Sequence, residues 1–477
     1  MKKMSEKKYS VGLLSAAAAS LLIGGFSITA SAATTYAMKF VAALGGGIMN
    51  DAGTIVGTNV TLGACFPTYP SCLSKNTTVV WPTAGANPIP LPAPAGLPFL
   101  AISGINSTGW IAGTASVFSA DFKPQAVVWL PGEGGYSLQQ LGLLPGNTIA
   151  KVAGIDDKNR VVGYNTTTDI YPPNAAPFLW SNTGGLVNLT DQGFPNEIPL
   201  DISPNGTVAL LNKWFQLDIP GVVKANAITP QGFAGAEASA AINNTGDQAR
   251  FLITSGSSNL AYFFRYHAAT GQWQQLNPAG TGRLSPYGIG SINNKGGITG
   301  TVLGGGVLAA GPNGPAQSLT AKLSAAYSGV GVTSASSLNA KGNILARVGF
   351  GRSGGRLVQL MPVKPCTASC VRIATLKMTA QSVTTCSSKN NVTTVLTVTD
   401  EIGNPIPGVI VKGRFLDEYW LDEKVSAITN TTGTARFVHK GPACVGAISF
   451  FVDNAIKAGR VFDQNQGVLT GFVIPGV

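Results

Sequence analysis

Charge is what this 477-residue chain has least of: 32 basic and 21 acidic residues make up 11% of it, where an ordinary globular protein carries about 25%. Surface helices need Lys, Glu and Arg to solvate their outer faces. A coiled coil, a helical bundle and a doubly wound α/β enzyme are therefore not expected. Histidine is scarcer still, with His267 and His439 alone, and the six cysteines include no CxxC pair, so a Cys/His zinc site lacks ligands. No run of five or six basic residues occurs, which argues against a nucleic-acid groove. Past the first 30 residues no unbroken apolar stretch approaches the ~20 residues that cross a bilayer as a helix. Disorder is excluded too, because 44% of residues are hydrophobic.

What the chain has in abundance is glycine, 60 residues, together with 29 prolines. High turn content, few charges and ample length point to an all-β protein with room for two domains. The chain opens with Lys2, Lys3, Lys7 and Lys8, then an apolar run from Val11 to Ile28 and the small residues Ala30-Ser31-Ala32. That order is expected of a signal peptide spanning residues 1–32 and cleaved before Ala33. It predicts an exported, soluble product, extracellular or periplasmic. Without the leader, 28 basic and 20 acidic residues remain, a net charge of +8. This fits mild attraction to anionic polymers or surfaces.

An oxidising compartment suits the cysteines. Cys65 and Cys72 enclose six residues and are expected to staple one loop. Cys366, Cys370, Cys386 and Cys444 allow three pairings; Cys366 with Cys370 and Cys386 with Cys444 is the favoured one, the first pair on closeness alone.

A repeat runs through residues 33–365. An apolar residue, then Asn or a small polar residue, two loop residues, Gly and a short apolar strand recur as MNDAGTIVG from Met49, INSTGWIAG from Ile105 and IDDKNRVVG from Ile155. Further copies are ISPNGTVAL from Ile202, INNTGDQAR from Ile242, INNKGGITG from Ile292 and LNAKGNILA from Leu338. The starts lie 56, 50, 47, 40, 50 and 46 residues apart, and an imperfect copy, ITPQGFAG from Ile228, leaves the count ambiguous between six and eight. Each copy reads as a tight hairpin, with Asn closing the turn and Gly at positive φ. A third strand follows in several copies (Ala126–Trp129, Pro177–Trp180, Tyr262–Arg265), then a Gly turn and a fourth strand. Four short strands per ~40–50 residues is the span of a propeller blade, so a β-propeller of about seven blades is expected over residues 33–365. The placement of Trp81, Trp129 and Trp180 predicts blade-core packing.

These hairpins and third strands resemble the HAF family of extracellular repeats, whose consensus pairs Ile-Asn-x-x-Gly-x-Val-Val-Gly with a later Phe-Leu-Trp strand. Asp156 and Ser203 depart from the Asn, and Asp247-Gln248-Ala249 departs from Val-Val-Gly. The resemblance implies an exported repeat protein and brings no catalytic residues with it.

After Met361–Pro365 the pattern changes to strand-like stretches over Ile373–Met378, Val392–Thr399, Val409–Gly413, Ala435–Val438 and Ala447–Val452. Residues 366–477 resemble bacterial immunoglobulin-like domains through Val398-Thr399-Asp400-Glu401-Ile402-Gly403-Asn404-Pro405 and Thr432-Gly433-Thr434-Ala435-Arg436-Phe437. That resemblance implies a β-sandwich used as a spacer or docking module.

No catalytic residue and no cofactor is expected. Gly351-Arg352-Ser353-Gly354-Gly355 matches the serine-hydrolase elbow in form only, because no helix follows. His267 and His439 read as strand-end residues. Asp417, Glu418, Asp422 and Glu423 flank Tyr419-Trp420 and are the candidate calcium ligands, a solvated hairpin or loop being the plainer reading. The chain is thus expected to be a secreted, non-catalytic binding or surface-interaction protein, its partner an extracellular polymer or cell-surface component. The alternative is an extracellular hydrolase or lyase acting on a polysaccharide or polyester, which would need carboxylates converging at the channel mouth.

Overall fold

The Asn-to-Gly turn sets the architecture. In the copy at Asn106, the Oδ1 atom accepts the N–H groups of Thr108 (3.2 Å) and Trp110 (2.9 Å), and Gly109 sits at φ +84°. The chain reverses there, and Ile105 pairs with Ile111 across an antiparallel hairpin. In the copy at Ile155 the place of the glycine is taken by Asn159, at φ 60°, a conformation Asn tolerates better than most residues.

The computed structural model describes residues 34–42, 46–62, 74–117, 123–168, 175–210, 213–219, 223–225, 233–234, 240–254, 261–276, 289–302, 304–350, 355–381, 389–417, 421–442 and 447–474. It is all-β, with three single-turn 3₁₀ segments among the described residues.

The repeats form successive antiparallel sheets, numbered here in chain order. Sheet 1 comprises Gly47–Met49, Ile55–Leu62, Ser74–Trp81 and Ile89–Pro90; sheet 2, Phe99–Ile105, Ile111–Ser116, Gln125–Gly132 and Gly135–Gln140. Sheet 3 is Ile149–Ile155, Val161–Thr166, Ala176–Ser181 and Gly185–Asn188; sheet 4 is Asp201–Ile202, Thr207–Ala209, Lys213–Gln216 and Val223–Ala225. Sheet 5 pairs Phe233–Ala234 and Ala240–Ile242 with Gln248–Thr254, followed by Ala261–His267 and Gln272–Gln275. Sheet 6 is Ile289–Ile292, Ile298–Val302, Gly305–Ala309 and Ala316–Ser318. Sheet 7 takes Val330–Leu338, Ile344–Phe350 and Arg356–Val363, and its outermost strand is the N-terminal Thr35–Ala42.

The motif strand of each sheet, the one that leads into the Asn turn, lies against the motif strand of the next, and that of sheet 7 returns to lie against that of sheet 1. This cyclic order makes the fold β-propeller-like. Thr35–Ala42 pairs with Arg356–Val363, Met38 opposite Leu360, so the two ends of the repeat region are joined by a hydrogen-bonded ladder. Sequence reading placed Thr35–Ala42 inside the repeat region without assigning it this partner.

The expected aromatic column is present. Trp81, Trp129 and Trp180 pair with Ile55, Ile111 and Val161 and are buried. The same register position holds Phe215, Tyr266, Ala309 and Leu360 in sheets 4 to 7. In sheet 5 the equivalent of Trp is therefore Tyr266 and not the Arg265 that ends the expected Phe-Phe-Arg strand. Arg265 is buried and donates instead to the carbonyls of Gly296 (2.9 Å) and Gly311 (2.7 Å) of the next sheet. The turn of the imperfect copy at Ile228 lies outside the described residues; its Phe233–Ala234 pairs with Thr254 and Ile253 in sheet 5.

The C-terminal residues form two further sheets, one of Thr434–Pro442, Lys389–Thr399, Cys370–Ala380 and Val461–Phe462, the other of Asp422–Ile428, Ile410–Leu416, Ile448–Ile456 and Thr470–Val473. Three of the strand-like stretches expected there fall within strands, and Val409–Gly413 and Ala447–Val452 each begin one residue ahead of theirs. The strands Asp422–Ile428, Val461–Phe462 and Thr470–Val473 had no expectation attached to them. Cys366 and Cys370 are disulfide-bonded. Cys65, Cys72, Cys386 and Cys444 lie outside the described residues.

One hydrophobic core runs without a break from Tyr36, Met38 and Phe40 through Tyr327 and Val358 into Phe415, Phe450 and Phe451. Phe451 stacks on Tyr327 (5.7 Å between centroids) and meets Phe40 edge-on (4.6 Å); the Arg414 guanidinium lies 4.4 Å over the Phe40 ring. Buried Arg356, on the last repeat sheet, donates to the Asp417 carbonyl at 2.8 Å. Phe40 sits on the N-terminal strand, so that strand packs against both the repeat sheets and the C-terminal sheets.

Candidate functional site

The motif strands surround a cavity of about 330 Å³. Its wall is a belt of apolar residues that immediately precede the turn-closing position, among them Ile105, Ile155, Ile202, Ile242, Ile292 and Leu338. The rim is built from the turns themselves, and there most polar side chains already have an occupation.

The turn-closing asparagines carry two functions. Their Oδ1 atoms close the local turn, as at Asn50, Asn243, Asn293 and Asn339, each accepting an N–H four residues on at 2.9–3.0 Å. Their Nδ2 groups reach the following sheet: Asn50 donates to the Asn106 carbonyl (2.8 Å), Asn106 to Asp156 (2.9 Å), Asn243 to Asn293 and Asn293 to Asn339 (both 3.2 Å). Four junctions between successive sheets are tied through this same atom of the repeat. Each tie contributes on the order of 1 kcal/mol, and leaving the buried carbonyl unpaired would cost more.

The chain of ties breaks at Asn339, whose buried Nδ2 has no hydrogen-bond partner among the described residues, and at the two departures from Asn. Asp156 still closes its turn, accepting Lys158 and Arg160 N–H at 3.0 and 2.8 Å, but has no amide to donate. Its second oxygen is bound by the Arg160 guanidinium at 2.7 Å, which also reaches Asp218. Burial pushes the Asp156 carboxyl up, with the Arg160 guanidinium and nearby N–H groups pulling the other way. Ser203 accepts Thr207 N–H at 3.0 Å and carries no second arm.

A second belt of ties uses the residue after the turn-closing one. Asp157 Oδ1 accepts Ser107 N–H (2.8 Å), Asn244 Oδ1 accepts Asn205 N–H (3.0 Å) and Asn294 Oδ1 accepts Asn244 N–H (2.9 Å). Across the closure, Asp51 Oδ1 accepts Ala340 N–H at 2.7 Å, joining residues 289 apart. A third belt, one residue before the apolar wall, holds Asp201, Ser291 and Ser337, which accept the N–H groups of Ile242 (2.9 Å), Leu338 (2.7 Å) and Met49 (3.1 Å). Burial raises the Asp201 carboxyl to about 7, opposed by the Ile242 and Ile202 amides. Sequence reasoning passed over Asp201; the only available signal was a carboxylate where the other copies carry Gly, Ala, Ile or Ser.

The remaining sequence candidates lie elsewhere. Asp422 accepts both Nη1 contacts of Arg414 at 2.9 and 3.0 Å, and the same guanidinium binds Asp453. Asp417 Oδ1 accepts Leu421 N–H at 2.7 Å, and Glu423 pairs with His439 Nδ1. Glu418, Tyr419 and Trp420 lie outside the described residues, as does Ser353. Among the described residues no three His, Cys, Asp or Glu side chains gather as a metal site would require. His439 is not at a strand end: it lies buried within Thr434–Pro442, because the strand continues three residues beyond it against Lys389–Thr399. His267 does end its strand, and its carbonyl accepts Gly271 N–H at 2.8 Å.

Among the described residues no helix is long and apolar enough to cross a membrane. No family model matches the sequence, and no curated protein does. Several solved structures are similar to it in outline. Ycf48 bound to the D1 peptide is 11% identical with a TM-score of 0.39, over 70% of this chain and 94% of that one. The acylaminoacyl peptidase of Pyrococcus horikoshii is 9% identical with a TM-score of 0.38, over 78% of this chain and 59% of its own. The Trypanosoma rangeli sialidase in complex with the inhibitor DANA is 10% identical with a TM-score of 0.31, over 93% of this chain and 89% of its own.

Proposed function

We propose that the chain is an exported, non-catalytic binding protein. In this reading a seven-bladed propeller of HAF-type repeats presents its channel mouth to an extracellular polymer or cell-surface component. An immunoglobulin-like sandwich is packed onto its closing blade. The observation that carries the reading is the occupation of the rim: Asp51 and Asp157 each hold a backbone N–H of a neighbouring sheet and are not left converging on open space. A general acid and its partner carboxylate must face the substrate across the channel. Side chains that tie turn to turn make a stiff concave surface instead, and stiffness lowers the ordering cost of binding.

The reading is tested by presenting the purified full chain to arrays of soluble and insoluble polysaccharides and polyesters. The expected result is retention on one polymer class with no release of reducing ends, unsaturated sugars or free acids over hours. Release of such products by the purified protein would establish the hydrolase or lyase alternative. Failure to be retained on any surface would overturn the binding reading.

A further inference from the structure

Among the described residues the cavity lining contains three carboxylates (Asp51, Asp157 and Asp201) and no Lys, Arg or His, in a chain of formal net charge +11. The repeat supplies its own control for what those carboxylates are needed for. Asp201 holds Ile242 N–H, and Ser291 and Ser337 hold the corresponding amides of the sheets that follow theirs with a neutral hydroxyl. Asp51 and Asp157 hold rim amides as the neutral Asn244 and Asn294 do. In each place the tie is made elsewhere in the same ring without charge, so the tie does not account for the charge.

The charge at Asp201 also lies in unfavourable surroundings. Its carboxylate is half-buried in a wall of Ile202, Ile242 and their equivalents, where losing hydration penalises the ionised form. Gly154 lies beside it: an added Cβ there would press on Ile202 Cγ2 at 2.8 Å and stand in ordinary contact with Asp201 Oδ1 at 3.5 Å. A costly charge beside an open cavity is a feature a cationic guest would compensate. A volume of about 330 Å³ lies at the lower end of the range for small-ligand sites.

We propose that the channel binds a small organic cation, an ammonium group carried on an apolar body, with Asp201 as its counter-ion and the isoleucine belt around the body. The inference rests on the binding reading above and names the ligand class of the same channel. Asp51 and Asp157 contribute through their fields at the rim, each with one carboxylate oxygen engaged by a backbone N–H of the adjoining sheet.

The test uses the full chain at pH 8 and three isosteres: hexylammonium, 1-hexanol and hexanoate, titrated by calorimetry with ligand-observed NMR as a second readout. Hexylammonium is expected to bind at least tenfold more tightly than hexanol, and hexanoate not at all. Asp201→Asn keeps an acceptor for Ile242 N–H and should weaken hexylammonium at least tenfold while leaving hexanol unchanged. Asp201→Ser, which copies Ser291, serves if the first variant folds poorly. Equal binding of hexylammonium and hexanol, or full retention of hexylammonium by both variants, overturns the cation proposal but leaves a binding channel in place. Absence of binding by all three overturns the channel as a small-molecule site, while polymer retention by the rim is still read separately on the arrays.

Discussion

Replacing Asp201 by Asn should stabilise the protein at neutral and alkaline pH and leave it unchanged in acid. Folding lifts this carboxyl from 3.8 to about 7 by burial, so the native state holds a proton that the unfolded chain has released between those values. Where the native state binds more protons, stability falls as pH rises. The loss begins near pH 4, is complete just above pH 7 and is flat thereafter. A shift of about 3 units sets a ceiling of about 4 kcal/mol, since each unit is worth about 1.4. The cavity is open to water, so about 2 kcal/mol is the expected loss. Chemical denaturation of both proteins at pH 4, 5.5, 7 and 8.5 gives the difference directly. Other shifted carboxyls, including Asp156 and Asp453, are common to both proteins and cancel. The reasoning is refuted if the two stability curves run parallel across this range, or if the variant is the less stable at pH 8.5.

Further outcomes follow from the same contacts. Asn106→Ala removes a turn closure and a tie to the next sheet and should cost about 2–4 kcal/mol, whereas Asn430→Ala removes only a turn closure and should cost about 1–2, both read by denaturant midpoint. Phe451→Ala should cost about 3–5 kcal/mol and split a single calorimetric transition into two, because Phe451 joins Tyr327 and Phe40 to the C-terminal sheets. Hexylammonium affinity should fall about 30-fold between pH 8 and pH 5.5 as Asp201 protonates, with Asp51 and Asp157 the other titratable groups on the cavity wall. On the proposed export, terminal sequencing of the mature chain should begin at Ala33.

The hairpins were legible because their cause is local. An Asn oxygen four residues from the amide it accepts and a Gly or Asn at positive φ can be read from nine residues. That same chemistry limits the signal: Asp400 and Asn430 close identical turns in the C-terminal sheets, with Gly403 and Gly433 at positive φ. What distinguishes the ring is the Nδ2 arm, which reaches a carbonyl some 50 residues away and leaves no mark in the sequence. Long range also hid the partner of Thr35–Ala42, more than 300 residues distant. The aromatic column was visible where it is Trp, and invisible where Ala309 or Leu360 fills the same register. At Asp201 the sequence offered a single acidic residue before an Ile-Ser pair, and its meaning emerges only beside Ser291 and Ser337 in the neighbouring sheets.

Whether the sheets close on themselves is measured most directly at the seam. In a variant carrying Asp51→Cys and Ala340→Cys, peptide mapping under non-reducing conditions should find these two residues joined within a monomer, because Asp51 holds the Ala340 amide at 2.7 Å. A folded monomer in which the two cysteines remain free, or bond only between chains, would contradict the closed ring on which the channel depends.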